Sequence, residues 1–157
     1  MAVATGPGMF NGLRVAMSIA KGFALASGAA VIGVPTLKIA AEPFPGRVVA
    51  VAAAGRTRLL WQSFVDGRPN GDAVNGQFKQ LAAELAAVEP TTVTGELSTE
   101  QWSALAGLSH VRLAMSPTHT RRANSLAAIA WRRWQAGDVD DPVTLEPIYL
   151  HANPAPV

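Results

Sequence analysis

Gly6-Pro7-Gly8-Met9-Phe10-Asn11-Gly12-Leu13-Arg14 stands at the junction of a strand and a helix. Ahead of it, Met1 to Thr5 reads as the last residues of a strand. Behind it, Leu13, Ala16, Met17, Ala20, Phe23 and Ala24 recur at spacings of three and four. That spacing predicts a helix from Leu13 to Ser27, with Gly28 as its stop. Small residues at Ala16, Ser18, Ala20, Gly22, Ala24 and Ala26 would let a second helix approach closely. Glycines at such a junction let the backbone turn tightly and come near another group, and the free amides at a helix start attract anions. The loop lacks both the Gly-x-x-x-x-Gly-Lys-Ser/Thr phosphate loop and the Gly-x-Gly-x-x-Gly dinucleotide fingerprint. By pattern alone it is therefore turn chemistry before it is a phosphate site.

Working outward, Ala30-Val31-Ile32-Gly33-Val34 is a continuous apolar run, the signature of a strand buried on both faces. Pro35 ends it, a short helix is expected over Thr36 to Ala41, and Glu42-Pro43-Phe44-Pro45-Gly46 reads as a linker. Arg47 to Ala54 and Thr57 to Val65 flank a Gly-containing turn and predict a hairpin, with Asp66 to Gly71 as a turn or loop. Helices are expected over Gln77 to Val88, over Thr99 to Leu108 with Ser98 or Thr99 as cap, and over Arg121 to Ala136 with Gly137 as its stop. Short strands are expected at Thr91 to Gly95 and Val111 to Met115, and one more extended segment at Val143 to Tyr149. Strands alternating with helices give an α/β class with a parallel or mixed sheet.

At 157 residues the chain has room for one domain with a real core. Apolar residues make up 49% and charged residues 15%, which is a globular and not a disordered composition. A formal charge of +2 is too small to argue for nucleic-acid binding by field strength. The absence of cysteine excludes thiol catalysis, disulfides and thiolate metal sites, and is compatible with a reducing, cytoplasmic setting. Val15 to Val34 is interrupted by Lys21 and by Gly22, Gly28 and Gly33, so no membrane span is read there.

Extended by Ala20-Lys21-Gly22-Phe23-Ala24-Leu25-Ala26 and Val31-Ile32-Gly33-Val34-Pro35-Thr36-Leu37, the loop resembles the TsaB family, also called YeaZ or glycoprotease-like proteins. These are subunits of the bacterial system that makes N6-threonylcarbamoyladenosine at A37 of tRNA. The family pattern runs Gly-Pro-Gly-Ser-Phe-Thr-Gly-Leu-Arg, where Met9 and Asn11 here replace Ser and Thr. Pro35 replaces a Ser further on. Dense matches span residues 3 to 41. Leu145-Glu146-Pro147-Ile148-Tyr149-Leu150 resembles the family's Glu-Pro-x-Tyr-Leu ending.

The resemblance implies an actin-like (ASKHA, ribonuclease-H-like) fold of two lobes. Residues 1–41 would be the later part of lobe one and residues 42–157 lobe two. It also implies that the first strands and helix of lobe one are missing ahead of Met1. Gly6, Pro7, Gly8, Phe10, Gly12, Leu13 and Arg14 form the motif loop, and Ala16, Met17, Ile19, Ala20, Phe23 and Ala24 the expected partner-binding helix. The implied role is a non-catalytic accessory subunit scaffolding a catalytic TsaD-like subunit. A TsaE-like ATPase, a possible homodimer and an indirect tRNA contact complete the expected partners, and no cofactor is expected.

In the TsaD-like partner the Gly-Val strand is followed by Asn-His-x-x-x-His, whose histidines bind a metal. Here Thr36 and Ala40 fall at those positions, and neither replaces an imidazole. His110, His119 and His151 are scattered and have no acidic partner at metal-site spacing. The alternative is a metal- or nucleotide-dependent hydrolase, a glycoprotease-like peptidase on the same fold. A nucleophile arrangement for it could be drawn only from Ser116 or Ser125 with His119 and Asp138, without a nucleophile elbow. Arg121, Arg122, Arg132 and Arg133, with Trp131 and Trp134, could touch tRNA. The blander expectation puts Trp131 or Trp134 in the core and the arginines on a solvated face. Asp138, Asp140 and Asp141 read as a loop cluster and not as a cation site.

Overall fold

The computed structural model describes residues 1–114 and 123–149. Two sheets share the chain. The smaller joins β1 (Ala2–Gly6) and β2 (Ile32–Pro35) in parallel. Between them runs α1 (Phe10–Ser27), closed by Gly28 in the left-handed conformation. The helix starts three residues earlier than the Leu13 boundary expected from periodicity, so Phe10, Asn11 and Gly12 belong to its first turn. Apolar spacing cannot show such a start, because no side-chain cap marks it: Met9 is the cap residue and makes no side-chain bond.

The larger sheet has the order β5-β4-β3-β7-β8, with β6 added to β4. The expected hairpin is β3 (Arg47–Ala53) against β4 (Leu59–Val65), antiparallel with Val51 opposite Trp61. β7 (Thr91–Gly95) pairs in parallel with β3 and with β8 (Val111–Leu113). The Asp66-Gly67 turn leads into a two-residue strand, β5 (Arg68–Pro69), and β6 (Val74–Gly76) follows. Both short strands were missed by pattern. The Asp-Gly pair, with φ of 48° and 73°, was the signal that could have shown the turn as a hairpin.

Strand β3 explains how the larger sheet is covered. Its side chains alternate, so Val49 and Val51 face α3 (Phe78–Ala86) and α4 (Thr99–Leu105), while Val48, Ala50 and Ala52 face α2 (Thr36–Ala41). Leu81, Leu85, Trp102 and Leu105 complete the first core and Leu37, Leu60 and Phe64 the second. Ser98, not Thr99, caps α4, in a reciprocal capping box with Gln101. Helix α2 also supplies Ile39 to the core of the smaller sheet and so packs on both.

The smaller sheet is covered by α1 on one face, through Met17, Ala20 and Ala24 on Val3 and Val31. On the other lies α5 (Ala123–Gln135), through Ile129 and Ala130 on Ile32 and Val34. The far end of the chain thus returns to residues 1–41, which a linear division after Ala41 does not convey. After α5 the chain forms no regular strand at Val143 to Tyr149. It makes one isolated bridge, Asp140 to Val31, and otherwise runs as turns and coil. Among the described residues no helix is long and apolar enough to cross a membrane.

Candidate functional site

Gly6 has φ of +111° and is buried, and a Cβ there would lie 2.7 Å from the Ile148 carbonyl oxygen. The close approach expected of this loop is real, but the group that approaches is the chain's own tail. Ile148 donates its backbone N–H to Thr5 O at 2.7 Å, and the Tyr149 ring sits 5.0 Å from that of Phe10. The Arg14 guanidinium lies over the Phe10 ring, 5.1 Å from its centre. Gly33 repeats the logic on β2, since a Cβ would come within 2.6 Å of both Leu145 Cδ1 and Thr5 Cγ2. Of the motif residues, Gly6, Pro7 and Leu13 are buried, and Gly8, Phe10, Gly12 and Arg14 are exposed.

Helix α1 divides the six expected interface residues. Met17, Ala20 and Ala24 are 3–4% exposed and pack on the chain's own strands, so they are unavailable to a partner. This corrects the expectation for those three. A helix lying on a sheet needs small residues at its inner face as much as one lying on another helix, and pattern cannot separate the two. Ala16, Ile19 and Phe23 remain outside. With Val15 and Leu25, the outer face shows Ile19 at 63% and Phe23 at 55% exposure. Val15, Ile19 and Phe23 stand four residues apart and form one stripe.

The expectation for α5 fails for the tryptophans and holds for Arg132, which lies on the solvated face. Trp131 and Trp134 are exposed, their rings 5.0 Å apart, while both arginines are engaged. Arg132 pairs with Glu42. Arg133 donates to Asp138 through Nε at 2.6 Å, to Asp140 at 3.1 Å and to Gly33 O at 2.8 Å. Asp140 in turn accepts the Gly33 N–H at 2.7 Å. The Asp138 bond raises the Arg133 pKa further, and the same bond holds the Asp138 carboxyl below its ordinary value. Ile129 and Ala130 fix the inward face of α5, which leaves the tryptophans at its flank, beside a cleft of about 550 Å³ lined by Met1, Ala2, Ala30 and Ile32. Arg121 and Arg122 lie outside the described residues.

The matched metal positions do not fit a metal. Thr36 and Ala40 are buried, Ala40 has no donor, and the Thr36 hydroxyl is packed away from any polar partner. His110 Nε2 donates to Leu85 O at 2.7 Å, an internal tie between α3 and the loop before β8. His119, His151 and Ser116 lie outside the described residues. Ser125 is buried, and Asp138 is taken by Arg133. Among the described residues no group of three His, Asp or Glu side chains is placed to hold an ion.

Two sheets whose helices cover both faces, with a Gly-Pro-Gly turn between the parallel strands of the smaller one, define a protein of the actin-like class. The fold matches YeaZ from Pseudomonas aeruginosa, with a TM-score of 0.73 at 24% identity over 94% of this chain and 74% of that one. A second solved structure, an uncharacterized protein with similarity to peptidase YeaZ from the same organism, gives 0.75 at 24% identity, over 96% and 73%. A family profile described as TsaD, tRNA N6-adenosine threonylcarbamoyltransferase, matches residues 1–132, and the chain belongs to that family. Uncharacterized proteins of Mycobacterium tuberculosis and Mycobacterium bovis are 31% identical over 149 residues, which is 94% of this chain. The chain spans 62% of the length of these relatives.

Proposed function

We propose that this chain acts as a non-catalytic accessory subunit in the making of N6-threonylcarbamoyladenosine in tRNA, a cytoplasmic platform for the catalytic threonylcarbamoyltransferase subunit. The observation that carries this reading is the outer face of α1, where Val15, Ile19, Phe23 and Leu25 stand exposed on one regular helix. A helix that is apolar on two sides needs cover on two sides, and the described residues supply cover on one. Burying Ile19 and Phe23 under a partner would contribute about 1.5–3 kcal/mol each. Thr36 and Ala40 support the absence of chemistry, because the family's metal needs imidazoles there. In this reading residues 1–41 belong to lobe one and the chain from residue 42 to lobe two, with 123–149 returning to lobe one. A TsaE-like ATPase would join the assembly, and any tRNA contact is indirect.

The experiment is reconstitution with a TsaD-like catalytic subunit from the same organism. The chain alone should transfer no threonylcarbamoyl group, release no peptide and retain no stoichiometric transition metal through dialysis. The pair should co-elute and modify tRNA when the remaining components are supplied. Transfer or peptidase activity by the chain alone would overturn the proposal.

A further inference from the structure

A second cleft, of about 610 Å³, opens where α2, the linker 42–46, the turn before β5 and α5 come together. Three cations line it, each from a different element: Lys38 of α2, Arg68 of β5 and Arg132 of α5. Two acids line it as well, Glu42 and Asp66, so three charges against two leave one positive charge in excess. Both acids are built into the wall. Glu42 pairs with Arg132, and its side chain is 17% exposed against 58% for the arginine, so the guanidinium is the member that meets solvent. Asp66 accepts the Gly46 N–H on its carboxylate at 3.0 Å and donates its own N–H to the Gly46 carbonyl at 3.0 Å. Those two bonds tie the turn to the linker and hold Asp66 at its φ of 48°.

The cations are less committed. Among the described residues the side chains of Lys38 and Arg68 make no hydrogen bond and no ion pair. Lys38 also feels the charge of Asp138, but that carboxylate is bonded to Arg133. Arg132 uses one nitrogen on Glu42 and keeps the rest of its fork open. A carboxylate is planar and is matched by a single arginine fork, as Glu42 is here. Donors brought in by three separate elements match the tetrahedral oxygens of a phosphate better. A phosphodiester carries one negative charge, which balances the excess in the cleft, and a monoester carries up to two. Phe44, half-buried between Pro43 and Pro45, gives the same cleft an apolar wall for the group that the phosphate carries. We propose that this cleft binds a phosphate group, borne by a nucleotide or by the backbone of a nucleic acid. None of its residues lies on α1, so the site is separate from the face that carries the platform reading and goes beyond it.

The test titrates the full chain, at an ionic strength held constant with sodium chloride, with three probes. Inorganic phosphate and AMP are followed by calorimetry, and a short single-stranded RNA without a terminal phosphate by fluorescence anisotropy. The variants are Lys38→Gln, Arg68→Gln and the two together. Neither side chain has a protein partner, so the melting midpoint should stay at the parent value. The expected result is saturable binding of at least one probe by the parent, weakened about tenfold or more in the double variant. Saturation by phosphate and AMP assigns the cleft to a nucleotide. Saturation by the RNA, with a salt dependence that the double variant flattens, assigns it to a nucleic-acid backbone. If none of the three probes saturates the parent, the site is overturned. It is overturned equally if the double variant, folded as the parent is, keeps the parent affinity for every probe that binds.

Discussion

Arg133 is where the polar bonding of the smaller sheet converges. Its fork ties Asp138, Asp140 and the Gly33 carbonyl, and Asp140 closes the ring by accepting the Gly33 N–H. Arg133→Ala leaves a half-buried Asp140 without its cation, and should cost about 2–3 kcal/mol, read in chemical denaturation. Arg133→Lys should recover only part, because a point charge cannot replace the fork. The pH dependence has a definite sign. The Asp138 carboxyl titrates lower in the folded chain than in the unfolded one, through its bond to Arg133. Its contribution is therefore present above the unfolded value of about 3.9 and is lost as pH falls through the folded value. The midpoint difference between the parent and Asp138→Asn should be positive at neutral pH and shrink toward zero in acid. A second check is steric: Gly33→Ala, whose Cβ would meet Leu145 and Thr5 at 2.6 Å, should destabilise by about 1–3 kcal/mol.

Helix α1 presents two apolar faces, and their substitutions should behave in opposite ways. Ala20 is 3% exposed against Val3 and Val31, so Ala20→Arg should disrupt the fold and would say nothing of a partner. Ile19→Asp should leave the unfolding midpoint unchanged and remove the complex. Circular dichroism melting of both variants, beside co-elution, separates the two outcomes. The periodicity of α1 was legible in the sequence, including its stop at Gly28. Which of its small residues face inward was not, because Ala16 and Ala20 differ only in what lies across from them. Pattern failed for the same reason on α5. A spacing of three and four groups Leu126, Ile129, Ala130 and Arg133 on one face of the helix, but it cannot show that Asp138 and Asp140 fold back to meet Arg133.

For the molecule as a whole, the smaller sheet is the narrower one, two strands among the described residues. Among the described residues β1 pairs with β2 alone, and its other edge lies near the cleft flanked by Trp131 and Trp134. An open strand edge beside apolar surface invites pairing with another chain. This chain by itself should self-associate with rising concentration in sedimentation velocity. That association should survive Ile19→Asp and weaken in Trp134→Glu, since it uses the strand edge and not α1. A monodisperse monomer over the whole concentration range would show that the edge is not sticky.

The sequence by itself determined the α/β class, the order of nearly all elements and the Gly-Pro-Gly turn. These follow from local rules, from apolar period, from caps and from the conformations only glycine adopts easily. It also determined, through Thr36 and Ala40, that the family's imidazole pair is missing. The tertiary structure alone decided that the tail from Asp138 to Tyr149 braces that turn, and that the arginines of α5 are engaged while its tryptophans are exposed. Contacts such as Asp140 to Gly33 join residues about a hundred positions apart, and no local rule carries information over that distance.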